Sequence, residues 1–370
     1  MRERINKNVI GMWSALKGLM VLVVILTHSI AEGATLCAYG DVYPIPFRVL
    51  TKGRGIVLFT FFMINGYLMR PEKSKGEIKR HYFNYLKIYF FTLLTMAVAC
   101  IIHNLFIGEK WNVQVWQLLI GGLFGATNKT YLSGYKIPFP SALWFFVVLM
   151  NASLLLDLIG KLDSRKAQKA IIYGIPFLFF LWYFFSGHLG KNVFVNIPFY
   201  PVQTSIAIVL LYVGYEMKKS NILFVKINWY WKAGIALLAL FTYLFGQLDS
   251  LNNEYRLGIL ECIGGICGSF VFIYIYLQLV NPEWKLIEWL MWIGRRSLWI
   301  IPVHCVEEAL FRWDECSQFM RLGIYGSTSL IFFIRLFFII VVCCLIEMLQ
   351  KKIKKKKFNK YAKCRTERRI

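Results

Sequence analysis

Long apolar segments recur from one end of the chain to the other, and they restrict its fold more than any other feature. A helix that crosses a bilayer needs roughly 20 apolar residues. A soluble domain carries about 25% charged residues, whereas only 17% of the residues in this chain are charged. Hydrophobic residues make up 58% of the chain. That much apolar surface exceeds what one globular core can bury, so lipid must cover the rest. The sequence predicts an all-α, polytopic integral membrane protein.

Ten segments fit a window of that length, which predicts about ten transmembrane helices. No gap between them is long enough for a soluble domain, and the longest connection, Gly108–Pro140, is predicted to be a loop. We therefore predict one membrane-embedded domain over residues 1–349 and a basic cytoplasmic tail over residues 350–370. The approximate limits of the ten segments are Met12–Ala31, Ile56–Met69, Ile88–Ile107, Ser141–Leu158, Ala170–Gly187, Pro201–Met217, Gly234–Gln247, Leu257–Val280, Trp289–Phe311 and Thr328–Leu349.

Basic residues are distributed unevenly between the connections. If the N-terminus lies in the cytoplasm, 32 of the 43 Lys and Arg residues fall on the cytoplasmic side and 10 on the outer side. The acidic residues divide evenly, 10 and 10. Because loops rich in Lys and Arg stay cytoplasmic, we expect both termini inside, the connection Gly108–Pro140 outside, and a multi-pass location in the cytoplasmic (plasma) membrane.

The net charge of +23 does not indicate a nucleic-acid-binding protein. The positive residues lie between the apolar runs and in the tail Lys351–Arg369, and no basic face alternates with stacking aromatics. Such clusters are typical of positive-inside topology and of contact with anionic lipid. We expect membrane lipid as a partner and no nucleic acid.

Two histidines stand out because each follows a long apolar run near the predicted outer end of a span. His28 has Glu32 at i+4, and His304 has Glu307 and Glu308 at i+3 and i+4 on one helix face. Ionisable residues at membrane depth are costly and by default mark a pathway or a site. The alternative for each is a packed histidine satisfied by a neighbouring helix. The histidines and cysteines lack metal-ligand spacing such as Cys-x-x-Cys or His-x-x-x-His, so no metal is predicted.

Lys17 lies on the same predicted span as His28, with ten residues between them. Eleven helical steps separate their Cα atoms by roughly 16 Å along the axis, so Lys17 belongs near the inner side and His28 near the outer side. A snorkelling lysine explains Lys17 without any function. The functional interpretation is a cation that receives an anionic donor from the cytosol while His28 works nearer the exterior.

One arginine and two cysteines also raise questions about contacts. Arg335 lies inside the last span, where a lipid-facing charge costs at least ~2.5 kcal/mol; we predict that it faces the bundle interior, with Glu261 as its partner. Of the nine cysteines, Cys37 and Cys316 are on the predicted outer side. A disulfide between them is open, since spacing alone does not establish proximity.

Four sequence segments carry motifs in a defined order along the chain. They are KGLMVLVVILTHS (Lys17–Ser29), VLFTFFMINGYLM (Val57–Met69), ALWFFVVLM (Ala142–Met150) and IGRRSLWIIPVH (Ile293–His304), with the basic pair Lys79 and Arg80 after the second. Together they resemble the acyltransferase-three family of integral-membrane O-acyltransferases, whose first helix usually carries Arg, about ten apolar residues and His. Lys17 keeps the charge of that Arg but lacks its planar fork.

The resemblance implies an enzyme that transfers an acyl group, usually acetyl from acetyl-CoA, to a hydroxyl of a cell-envelope polysaccharide or a lipid-linked sugar. The domain over residues 1–349 would be the acyltransferase domain. His28 would be the general base that takes the hydroxyl proton, Glu32 would orient it as the third member of a triad does, and His304 is the next catalytic candidate. Basic residues would bind the phosphates of CoA, although positive-inside topology explains the loop pairs equally well: Lys17, Lys79, Arg80, Arg295 and Arg296.

Two other classes of protein fit the same pattern. A transporter or flippase of a lipid-linked sugar would also have about ten spans and intramembrane charges, but the sequence contains no inverted repeat and no matching pair of broken helices. A catalytically inactive, acyltransferase-like membrane sensor or scaffold also stays open.

Overall fold

A computed structural model describes residues 2–37, 43–69, 74–108, 110, 112–125, 131–132, 135–136, 143–185, 199–225, 228–250, 253–281, 283–311, 313 and 322–367. These residues form eleven α-helices, one short 3₁₀ helix at Ile222–Phe224, and a hairpin of strands β1 (Tyr131–Leu132) and β2 (Tyr135–Lys136). The helices are α1 (Arg2–Leu36), α2 (Ile45–Leu68), α3 (Lys75–Ile107), α4 (Asn112–Leu123), α5 (Leu143–Ile159), α6 (Arg165–Phe185), α7 (Pro201–Ser220), α8 (Trp229–Phe245), α9 (Ile259–Leu279), α10 (Lys285–Phe311) and α11 (Gly323–Glu367).

The ten predicted segments correspond in order to α1–α3 and α5–α11. Within the described part of the chain, five helical segments are long and apolar enough to cross a membrane: Gly11–Leu36, Lys75–Ile107, Arg165–Phe185, Ile259–Leu279 and Gly323–Lys352. The sequence predicts only a loop at Gly108–Pro140, but this connection contains α4 and the hairpin. Twelve residues make α4 about 18 Å long, which is too short to cross a bilayer.

The ends of several helices follow local sequence signals. Ser74 and Glu77 form a capping box at the start of α3, and that helix ends at Gly108, whose φ of 78° suits glycine. Pro201 occupies the first turn of α7, where its missing N–H costs nothing. Helix α11 continues to Glu367, so most of the predicted basic tail is helical.

Apolar side chains cover the outside of the bundle, and polar side chains are buried within it. Phe106 is 91% exposed and Phe185 76% exposed, whereas Glu307 and Arg335 are each 0% exposed. Exposure of so large an apolar surface to water is unfavourable, whereas its contact with lipid is favourable. The helical architecture is therefore compatible with an integral membrane protein.

Helices α1 and α10 pack with their backbones in close contact. A side chain at Gly18 would overlap the carbonyl oxygen of Leu290, and one at Gly294 would overlap that of Ser14. Small residues allow such an approach between membrane helices. Ten residues further along both helices, the rings of His28 and His304 lie 5.1 Å apart. The two helices thus run side by side in the same direction, and we call the two ends of this pair the Lys17 end and the His28 end.

Helix α11 packs against α1 in the opposite direction. Gly33 of α1 leaves room for Thr328, and two turns later along α11 Arg335 lies 3.4 Å from Ser29 Oγ. Cys37, at the end of α1, has its sulfur 3.7 Å from Ser327 Oγ, and Cys316, the other cysteine on the predicted outer side, lies outside the described residues. Helix α11 therefore places Arg335 at the His28 end.

Candidate active site

His28 faces a carboxylate that comes from another helix. Its Nδ1 lies 3.1 Å from Oε1 of Glu308, and the exposed fractions of the two side chains are 37% and 12%. The close packing of α1 on α10 brings this pair together, because Glu308 is one turn beyond His304. With Nδ1 bound to the carboxylate, Nε2 is the ring nitrogen left for another partner. A carboxylate on Nδ1 with Nε2 available is the arrangement of a histidine that serves as a general base.

His304 extends this arrangement into a chain of four side chains. Its Nδ1 lies 3.1 Å from Oε2 of Glu307, and its Nε2 lies 3.3 Å from the same Glu308 oxygen that contacts His28. The side chain is only 2% exposed, and its ring is almost perpendicular to that of His28. The order Glu307, His304, Glu308, His28 is a continuous run of contacts of 3.1–3.3 Å from the interior to the partly exposed imidazole, in which His304 Nε2 itself has no hydrogen-bond partner among the described residues.

Arg335 lies beside these carboxylates and is completely buried. Its guanidinium lies 2.6 Å from Glu32, 3.2 Å from Glu307 and 3.6 Å from Glu308. The prediction that Arg335 faces the interior is confirmed, but the predicted partner Glu261 is wrong. Glu261 accepts a hydrogen bond from the backbone N–H of Gln247 on another part of the bundle.

Glu32 does not occupy the position that the sequence predicts for it. Although it is one turn after His28, its Oε1 binds Arg335. The carboxylate beside His28 Nδ1 is Glu308, which the sequence places only beside His304. Periodicity along one helix cannot reveal a partner on another helix. The sequence therefore favours Glu32, which is on the same helix as His28, as the orienting carboxylate.

Six side chains make up what we call the polar cluster, and its carboxylates outnumber its permanent cation. It has three carboxylates, one guanidinium and two imidazoles. With neutral imidazoles, the cluster carries a surplus of negative charge in a buried setting, where unpaired charge is costly. Trp313 also donates its indole N–H to Glu307. The members of the cluster are His28, Glu32, His304, Glu307, Glu308 and Arg335.

A cavity of about 130 Å³ opens beside the two histidines. Its walls are mostly apolar and include Phe61, Trp144 and Ile300, and Arg54 lies among its lining residues. The Arg54 guanidinium forms an ion pair with Asp249. The cavity has room for a small chemical group beside His28, between mostly apolar walls.

Lys17 lies away from the polar cluster, at the other end of the α1–α10 pair. Its Nζ lies 2.8 Å from Oδ1 of Asn65 and 5.2 Å from the centre of the Phe61 ring. Phe61 is also a wall of the cavity, so it lies between the cation and the histidine. The structure thus supports the order along α1 that the sequence predicts, with a cation at one end and an imidazole at the other.

The other four predicted donor-binding residues do not meet in one site. Lys79 and Arg80 are exposed on the first turns of α3, and Arg295 is exposed on α10 next to Gly294. Arg296 is paired with Glu347 and lies over the ring of Trp292. Because Gly294 packs on Ser14, both arginines are near the Lys17 end. Their contact with a donor stays a prediction.

The sequence predicts both histidines as candidate site residues. It does not predict which helix supplies the carboxylate that contacts each of them. The signal for Arg335 was its position well inside the last apolar span. The signal for Glu308 was its place on the His304 face, but nothing in the sequence relates that face to His28. Sequence spacing also gave no hint that one oxygen of Glu308 would contact two imidazoles.

Comparison with protein families gives one match. The family described as an acyltransferase domain (acyltransferase three) matches residues 13–348, which is most of the chain. The matched range contains Lys17, both histidines and every member of the polar cluster. Neither a search of curated proteins nor a search of solved structures found a match.

Proposed function

The chain belongs to the acyltransferase-three family, and from this premise we propose that it is a membrane O-acyltransferase that moves an acetyl group from cytosolic acetyl-CoA to a sugar hydroxyl. The acceptor in this proposal is a cell-envelope polysaccharide or a lipid-linked sugar. The observation that carries the proposal is the His28–Glu308 pair beside a cavity, because it supplies a positioned base where a hydroxyl and a thioester could meet.

His28 performs the proton transfer in this mechanism. The acceptor oxygen attacks the thioester carbonyl carbon while its proton moves to Nε2 of His28, and the carbon–sulfur bond then breaks. The departing CoA thiolate takes the proton from the imidazolium, which restores the base. Glu308 stabilises the imidazolium through Nδ1. A positioned base of this kind contributes typically 10²–10⁴-fold to the rate.

The remaining members of the polar cluster position Glu308. His304 contacts the same Glu308 oxygen as His28, and Glu307 holds the opposite nitrogen of His304. Arg335 reaches Glu307 and Glu308 from α11 and so places a positive charge beside both carboxylates. These residues act through Glu308 and need not touch the substrate.

The donor approaches from the Lys17 end in this proposal. We place both termini in the cytoplasm with about ten spans, on the grounds of the uneven Lys and Arg distribution. Lys17, Lys79, Arg80, Arg295 and Arg296 then face the cytosol or lie near it, where the phosphates of CoA would meet them. The thioester would reach across the roughly 16 Å between Lys17 and His28. Labelling of single cysteines at Lys129 and in the tail tests this topology, and a tail labelled from outside overturns it.

Purified protein in lipid nanodiscs, supplied with radiolabelled acetyl-CoA and an envelope glycan fraction, tests the reaction. We expect CoA release that depends on the acceptor and is lost in His28→Ala. His81→Ala is the matched control, because His81 lies near the start of α3, away from the cluster. Absence of both turnover and acetyl-CoA binding would instead favour a transporter or an inactive sensor.

A further inference from the structure

Three side chains of the polar cluster each direct one potential metal ligand to a common point. His28, His304 and Glu308 offer two ring nitrogens and one carboxylate oxygen, all within 4.8 Å of one another. Oε1 of Glu308 lies 3.1 Å from His28 Nδ1 and 3.3 Å from His304 Nε2. In a tetrahedral zinc site with bonds of about 2.1 Å, ligand atoms lie about 3.4 Å apart. The carboxylate oxygen is already at nearly that distance from both nitrogens.

The surroundings of these ligands match those of a metal site. A histidine that binds a metal through one nitrogen almost always donates its other N–H to a carboxylate or carbonyl. His304 has Glu307 on Nδ1, so its Nε2 is directed at Glu308 and the common point. Arg335 and Trp313 hold Glu307 in turn. This support fixes the orientation of the most buried ligand.

The charge of the polar cluster also favours a cation. Three carboxylates face one guanidinium, and the second oxygen of Glu308 is buried without a hydrogen-bond partner in the described part of the chain. A divalent ion at the common point would offset the surplus negative charge. Two imidazoles with one carboxylate select zinc over magnesium or calcium, which prefer oxygen ligands.

We propose that His28, His304 and Glu308 form a binding site for Zn²⁺, and that the bound ion switches off acyl transfer. The fourth position faces the cavity, where water completes the tetrahedron. The ion enters past His28, whose side chain is 37% exposed. This is a regulatory site in the proton-transfer machinery, and no step of the reaction runs through the metal.

The inhibitory part of the proposal rests on the proposed function and follows from the nitrogen that the metal takes. Zinc on Nδ1 of His28 occupies the lone pair there and displaces Glu308 from its hydrogen bond. The neutral ring then carries its hydrogen on Nε2. Without a lone pair on Nε2, His28 cannot accept the proton of a hydroxyl. The metal therefore leaves the imidazole in place and removes its basicity.

Binding is tested without any acyl transfer. Nanodisc-embedded protein, dialysed against EDTA and then freed of it, is titrated with ZnCl₂ in a calorimeter. We expect one ion per chain, at least about 100-fold weaker binding in His304→Ala and Glu308→Ala, and about 10- to 100-fold weaker binding in Glu307→Gln, which alters the support of a ligand. His81→Ala should bind as the unchanged protein does. Equal binding in all of these variants, or no stoichiometric binding, overturns the site.

Further measurements control for misfolding and identify the ligands. Circular dichroism and size-exclusion profiles of each variant must match those of the unchanged protein, and zinc X-ray absorption must show nitrogen ligands and their loss in His304→Ala. In the acetyl-CoA assay, we expect saturating zinc to lower turnover more than tenfold and EDTA to restore it. Undiminished turnover with zinc bound, or turnover that requires zinc, overturns the inhibition. A protein without acetyl transfer defeats the proposed function, while the calorimetry still decides the site.

Discussion

The two ends of the α1–α10 pair are built from different chemistry. At the His28 end, six ionisable side chains from α1, α10 and α11 are connected through short contacts. At the Lys17 end, a half-buried lysine is held by one amide, and the nearby arginines are exposed or paired elsewhere. The same two helices form both ends, so the difference lies in the side chains and not in the backbone packing.

This difference matches the two tasks of the proposed mechanism. Proton transfer requires an atom fixed to a fraction of an ångström, and a network in which each group orients the next supplies that. Recognition of a phosphate-rich donor requires positive charge but little geometric precision, and dispersed cations supply it. We therefore expect substitutions at the His28 end to affect turnover or folding, and substitutions at the Lys17 end to affect donor affinity.

The largest expected effect is at His28. His28→Ala removes the atom that accepts the proton, so kcat should fall about 10²–10⁴-fold while acetyl-CoA binding stays near that of the unchanged protein. Turnover and equilibrium binding of labelled acetyl-CoA measure the two quantities separately. His81→Ala should leave both unchanged. A His28→Ala protein that keeps most of its turnover would remove the distinction between the two ends and make His304 the next candidate base.

Arg335 tests whether the network at the His28 end is also structural. Arg335→Met leaves Glu32, Glu307 and Glu308 without their buried cation, and removing one partner of a buried ion pair costs about 3–5 kcal/mol. The free energy of unfolding in mixed micelles should fall by that amount. Arg335→Lys, which keeps the charge but not the fork, should lose less. Unaltered stability in Arg335→Met would show that the carboxylates are not held as charged groups.

The sequence was sufficient for the positions of most helices and for the burial of Arg335. Apolar run lengths located ten of the eleven helices, and the cost of a charge in lipid predicted the buried Arg335. It was insufficient for contacts between helices. His28 meets Glu308 only because Gly18 and Gly294 let α1 and α10 approach, and helical periodicity does not encode which helices are neighbours. For this reason the sequence favours Glu32 as the partner of His28 and Glu261 as the partner of Arg335.

Comparison of two glutamates sharpens this point. Glu308→Gln removes the negative charge beside His28 Nδ1, and a hydrogen bond to a charged group is worth about 1.5–3 kcal/mol. We therefore expect kcat to fall about 10- to 150-fold with an unchanged KM for acetyl-CoA. Glu32→Gln keeps a group that can accept from Arg335 and lies off His28, so its kcat should fall less than about threefold. Steady-state kinetics of the two variants measure both changes in kcat. A larger fall in kcat for Glu32→Gln than for Glu308→Gln would mean that Glu32 orients His28.

The smallest effect is expected at Lys17, and it should differ in kind from the others. Lys17→Met keeps the length of the side chain and its packing on Phe61 but removes the charge beside Asn65. A lysine is a mobile, strongly hydrated cation, and one such contact is worth about 1 kcal/mol, so the KM for acetyl-CoA should rise about fivefold while kcat hardly changes. Lys17→Arg should restore the KM, because it restores the positive charge. The salt dependence gives a second readout: KM of the unchanged protein should rise with ionic strength, and that of Lys17→Met should rise less steeply. A drop in kcat with an unchanged KM would instead mean that Lys17 belongs with the proton-transfer groups, and that the two ends of the helix pair share one task.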